Sequence, residues 1–156
     1  MSNVRPHMDT LRPHERRAID GLLSGDSPIL ADLRQQARDL IVTSRMHTGV
    51  GEYIDVEPSA TAHAVQPSNI VLADVNLDVE GLPLGADALL FVVDGRLSVL
   101  EFATAAAAWP SEPVVLGLTY YREVEVEPGT YSMEPTPARD HETLARALRG
   151  RSADAA

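Results

Sequence analysis

The sequence predicts an α+β domain: an N-terminal helical hairpin packed on a mainly antiparallel β-sheet of about five or six strands. Three observations carry this. Residues 1–38 place apolar side chains at helical spacing between proline and glycine boundaries. From Asp39 the apolar period changes to two, and turn signals then recur every ten or so residues.

Residues 1–9 are expected to be disordered, 10–135 to form the single α+β domain, and 136–156 to be a tail with one short helix. The first helix is expected over Pro13 to Ser24. Pro13 stands at the first helical position, Glu15 lies in the first turn, and Ala18, Ile19, Leu22 and Leu23 form one stripe. Gly25 is a left-handed stop. Ser27-Pro28 then caps a second helix to about Arg38, with Ile29, Leu30, Leu33 and Ala37 as its stripe.

Strands are expected over Leu40 to Met46, Glu52 to Glu57, Ile70 to Val79, Leu89 to Val93, Leu97 to Phe102 and Val114 to Glu127. Residues 58–68 form a polar loop. Asp94-Gly95 between two β-rich runs predicts a hairpin with a type I′ turn. Ala105 to Ala108 could make a helical turn ended by Trp109-Pro110. The tail helix falls around Asp140 to Arg149, with Leu144 and Leu148 at i, i+4.

At 156 residues the chain is long enough for one core. The mean hydropathy of −0.10 and the lack of any long apolar run argue against a membrane span. The N-terminus has no apolar leader region, so a cytoplasmic location is expected. Cysteine is absent, which removes thiolate nucleophiles and disulfides. Lysine is absent too, since all 13 basic residues are arginine, which removes Schiff-base and P-loop chemistry.

The net charge of −10 is unevenly distributed. Residues 51–137 hold 14 acids against two arginines, whereas the segments on either side each carry a net +1. Such a field repels nucleic acid and anionic membrane and attracts basic partners. An aromatic content of 4% also leaves few bases to stack on.

The stretch His47-Thr-Gly-Val-Gly-Glu-Tyr-Ile-Asp-Val-Glu57 crowds glycines, a histidine and acids together. A phosphate loop needs a following helix, but here an acidic strand pattern follows. Gly49 and Gly51 therefore read as a turn, supplying positive φ or close backbone approach. In the strand, Tyr53, Asp55 and Glu57 share one face, and Ile54 and Val56 the other. Asp55 and Glu57 with His47 or His63 give too few ligands for a hard cation. His14 is expected to be exposed, leaving His47 and His63 as the histidines within the domain. No Gly-x-Ser-x-Gly elbow marks a nucleophile. The row Glu123, Glu125 and Glu127 beside Tyr120 and Tyr121 suits a solvent-facing strand or an aromatic-anchored interface. Trp109 is expected to plug the core or its edge.

Two short helices, then Ser44-Arg45 and Thr48-Gly49-Val50-Gly51, then Leu97 to Glu101 and finally Trp109-Pro110, resemble a set of small bacterial proteins of uncharacterised function, over roughly residues 10–110. The resemblance implies a compact bacterial cytosolic domain and carries no catalytic residue over.

The functional expectation is a non-enzymatic acidic module that binds a basic protein surface, in its most concrete form an immunity- or antitoxin-like inhibitor. Its expected contacts are Tyr53, Asp55, Glu57, Tyr121, Glu123 and Glu125. No catalytic residue, metal or cofactor is expected. One alternative is a small enzyme or small-molecule binder using His47, Glu52 and Asp55. Another is a subunit of a bacterial or phage assembly, in which case the chain forms a homo-oligomer.

Overall fold

The computed structural model describes residues 9–151. Except for Asp9, the segment expected to be disordered lies outside them. The elements are α1 (Pro13–Leu22), α2 (Pro28–Ala37), β1 (Ile41–His47), β2 (Gly51–Glu57), β3 (Ile70–Val79), β4 (Ala86–Val93), β5 (Arg96–Ala103), β6 (Val115–Glu127), β7 (Thr130–Thr136) and α3 (His141–Leu148). The fold is α+β, with one sheet ordered β1-β2-β5-β4-β3-β6-β7 and every neighbouring pair antiparallel. The sheet has seven strands rather than five or six. β7 escapes the sequence pattern because its residues are exposed on both faces, save Thr136, and include Pro135, so nothing alternates. In place of a helical turn, residues 105–107 form bends and 108 is irregular.

Local chemistry explains the helix boundaries. Pro13 and Pro28 occupy first-turn positions where a missing N–H costs nothing. Ser27 Oγ accepts from the Ile29 amide at 3.2 Å, and Glu15 reaches back to the Arg12 amide at 2.7 Å. The Asp94-Gly95 turn has φ of 53° and 78°, the two positive values of a type I′ hairpin.

Helices α1 and α2 cover one face of the sheet: α1 lies over β3, β4 and β6, and α2 over β5, while α3 lies against β3. The core between these layers includes Ile19, Leu22, Leu30, Leu33, Ile54, Leu72, Leu77, Leu90, Leu100 and Phe102, all essentially inaccessible. Gln36 of α2 is buried with them and makes three bonds, two to the β4–β5 hairpin and one to the loop between β2 and β3. Its amide nitrogen donates to the carbonyls of His63 (2.8 Å) and Gly95 (2.9 Å), and its oxygen accepts from the Leu97 amide at 2.9 Å.

Strand β6 pairs with β3 only as far as Tyr120, then runs on with β7 alone. Beyond that point the Glu123 amide donates to Thr143 Oγ1 of α3 at 2.9 Å, so a side chain takes the place of a strand. Residue Asp140 caps α3 through the Thr143 amide (3.0 Å), and Leu144 is buried. Helix α3 is thereby docked against the body of the fold.

The two glycines of the β1–β2 turn do different work. Gly49 has φ of 88°, with open space where a Cβ would stand. Gly51 lies so close to β5 that a Cβ would collide with the Phe102 carbonyl. Replacing Gly51 with Ala is expected to lower stability by more than about 3 kcal/mol, whereas Gly49→Ala should cost only about 1 kcal/mol. Urea denaturation of the two variants checks the contrast, and equal losses would refute it.

Candidate functional site

Strand β2 separates two chemically different regions. Its alternation sends Glu52, Ile54 and Val56 under the helices and Tyr53, Asp55 and Glu57 to the opposite, open face. Register then assembles that open face. The row Tyr53–Glu101–Leu89 crosses β2, β5 and β4, and the next row is Asp55–Val99–Phe91–Val71, reaching β3. A third row runs Ala103–Asp87–Asn76–Thr119 out to β6. The centre is apolar and half-buried (Leu89, Phe91, Val99, Val71), and Asp55, Glu57, Glu101, Asp87 and Asp78 stand around it. Arg96 lies at one end, but its guanidinium donates to the carbonyls of Ala62 (2.8 Å) and Ser59 (2.7 Å).

Two tyrosines on this face lie beside carboxylates. Glu101 pushes the Tyr53 phenol above its ordinary value, first by hydrogen bonding and then by charge. Burial raises the Tyr121 phenol, and the Asp87 carboxylate adds to it. Both phenols therefore stay protonated as donors.

The expected contact residues thus divide. Tyr53, Asp55 and Glu57 lie together, and Tyr121 joins the same field through Asp87. Strands β2 and β6 are separated by three others, a span of about 19 Å at the usual strand spacing. Glu123 and Glu125 are engaged locally. Glu123 Oε2 is 3.1 Å from Arg146 Nε of α3, and Glu125 Oε1 accepts from the Gly129 amide at 3.0 Å.

Beneath the helices lies a polar cluster. Glu15 of α1 is fully buried and takes a two-pronged ion pair from Arg45 of β1, with Nη2 at 2.7 Å and Nε at 2.9 Å. Arg45 also binds Asp9 and holds its proton more tightly than usual, chiefly through Glu15. Glu52 is buried and accepts from Trp109 Nε1 at 3.1 Å. The Trp109 ring stacks on Phe102 with centroids 5.1 Å apart, and His14 packs against both rings. His47, half exposed, brings Nε2 to 3.6 Å from Glu52 Oε1.

His14 is buried, not exposed as expected, because the first turn of α1 lies over Phe102 and Trp109. The trio His47, Glu52 and Asp55 does not converge. His47 and Glu52 are register partners, while Asp55 lies on the other face and hydrogen-bonds Ser44. The sequence reading missed His14, Glu15 and Arg45 as a group. The available signal was Glu15 at the third helical position, where a carboxylate turns back towards the helix start.

Burial holds the His14 imidazolium down against the opposing pull of Glu15 and Glu52, with Arg12 and Arg45 adding to the depression. The folded chain therefore takes up this proton less readily than the unfolded one, whose imidazole titrates near its ordinary value of 6.5. The stability that neutral His14 supports is whole above about pH 6.5 and declines as pH falls through it. Denaturation in chelator at pH 7.5 and pH 5.5 is expected to show this loss in the native chain and a smaller one in His14→Gln. Equal losses would refute it.

No family model matches the chain, and no curated protein and no solved structure matches it.

Proposed function

We propose that the chain is an acidic protein-binding module that docks a basic partner on the open face of its sheet. The observation that supports this best is the composition of that face. Five carboxylates surround a half-buried apolar strip, and the one arginine at its end is tied to backbone carbonyls. Apolar surface gives contact energy, while a single-sign rim gives steering and selects against acidic partners. The phenols of Tyr53 and Tyr121 supply aromatic anchors with a donor each, the side-chain type that dominates binding energy at interfaces. The partner this face fits is a protein with an exposed basic surface. An inhibitor covering the nucleic-acid-binding surface of a toxin is the most specific form of the reading.

The functional centre moves accordingly from Glu123 and Glu125 towards Asp55, Glu101 and Asp87. A second reading, self-association, draws on β7, an edge strand with Tyr131 and Met133 exposed. Light scattering behind size exclusion distinguishes them, since docking on the open face leaves a monomer in the absence of partner.

The test is a binding series against basic protein domains, with acidic domains as controls, at low and moderate salt. The double reversal Asp55→Lys/Glu101→Lys is expected to weaken binding by about 100-fold and flatten its salt dependence, as loss of two interfacial charges does. Reversal of Glu123 and Glu125 should change it less than about threefold, as for rim charges. Unchanged binding in the Asp55/Glu101 variant would sink the reading.

A further inference from the structure

We propose that Glu52, His14, His47 and Glu15 form a binding site for one divalent transition-metal ion. The site lies on the helix-facing side of β2, away from the open face, so it stands or falls independently of partner docking.

The starting point is two buried atoms without partners. Among the described residues His14 Nε2 and Glu52 Oε1 find no hydrogen-bond partner, although His14 is 6% exposed and Glu52 only 1%. A buried carboxylate that has one neutral donor, from Trp109, and no guanidinium among the described residues is costly unless a cation reaches it. A ring nitrogen of His14 and carboxylate oxygens of Glu15 and Glu52 all lie within 4.8 Å of one another. On the other side, His47 Nε2 stands 3.6 Å from Glu52 Oε1. Two ligands on one zinc ion are about 3.4 Å apart at ordinary bond lengths, so that pair already has the bite of a metal site. His14 and Glu15 approach Glu52 within 4.8 Å, and an ion would draw these side chains inward to ligand spacing.

The surrounding bonds have the character of ligand supports. Trp109 Nε1 fixes the second oxygen of Glu52, leaving Oε1 free. The Arg12 amide and Arg45 orient Glu15, whose Oε2 accepts one bond and keeps a lone pair. Arg45 offsets the charge of Glu15, so the net negative charge facing an ion comes from Glu52. Two imidazoles with two carboxylates suit zinc and its first-row neighbours. Magnesium and calcium demand more oxygens than the cluster offers. Half-exposed His47 gives an ion its way in from solvent.

The competing account is that His14 and Glu52 hydrogen-bond each other directly once the side chains relax. The experiment separates the two. Chelator-stripped full chain is titrated with zinc chloride, and with magnesium chloride as control, by calorimetry and by Trp109 fluorescence. Trp109 is the single tryptophan and donates directly to Glu52, so an ion there must alter its emission. Expected are one zinc per chain, a changed Trp109 signal, and a melting midpoint raised by about 5–10 °C at 100-fold excess over Kd; magnesium should do nothing. Glu52→Gln keeps an acceptor for Trp109 but removes the charge, and should weaken zinc by at least about 100-fold. His47→Ala, at the rim, should weaken it about tenfold. His63→Ala and His141→Ala should bind as the native chain does. If Glu52→Gln fails to fold, His47→Ala and the Trp109 signal decide. Absence of saturable zinc binding, zinc that leaves Trp109 emission unchanged, native affinity in His47→Ala, or dependence on His63 or His141 would each overturn the proposal.

Discussion

Arg139 is the interaction on which the arrangement of helices depends. Its guanidinium pairs with Asp74 through two bonds, Nε to Oδ2 at 2.9 Å and Nη2 to Oδ1 at 2.8 Å. The remaining Nη1 donates to the carbonyls of Leu22 (2.8 Å) and Ser24 (2.7 Å), at the open end of α1. Its Cζ lies 5.3 Å from the centroid of the Tyr120 ring, whose hydroxyl donates to the Gly21 carbonyl at 2.8 Å. One side chain thus joins the end of α1, the irregular Leu72–Val75 region of β3, strand β6 and the entry to α3. Both partners of the ion pair are almost wholly buried, so loss of either would leave a desolvated charge, a cost of about 3–5 kcal/mol.

The same device recurs. Arg16 donates to the Ala37 carbonyl at 2.9 Å, and Arg34 to those of Leu23 (2.6 Å) and Gly25 (2.9 Å). The carbonyls at helix ends lack intrahelical donors, and a guanidinium with five N–H groups can satisfy several at once. A lysine ammonium, a compact point charge, fits that task less well. The uneven charge of the chain follows from this division. The terminal segments hold arginines that work inwards on carbonyls and buried carboxylates, and the middle segment, apart from buried Glu52 and Asp74, keeps most of its acids towards solvent.

Much of the architecture was legible from the residues. Helix boundaries were within about two residues because proline, serine and glycine punctuate them, and Ile70–Val79 came out residue for residue from its alternation. The faces of β2 followed from the same period. Strand β7 was illegible because a strand exposed on both sides has no pattern to display. The burial of His14, Glu15 and Arg45 was hidden for a different reason. A charged side chain in an amphipathic segment reads as solvent-facing, and the partner that allows its burial lies 30 residues away in the chain for Glu15 and Arg45. Asp74 and Arg139 are 65 residues apart. Pairing at that range leaves no periodic trace.

Because α1 and α2 lie on one side of the sheet, alternate residues of the central strands answer to different demands. Ile54, Leu90 and Leu100 are constrained by the shape of their neighbours. Among the described residues no second layer covers Tyr53, Phe91 and Val99, so exchanges there are less tightly limited by packing. A lineage carrying this fold can therefore redraw one side of its sheet while holding the other constant. Divergence between descendants should accumulate at every second position of β2, β4 and β5, a two-residue rhythm of variation written across a fixed scaffold.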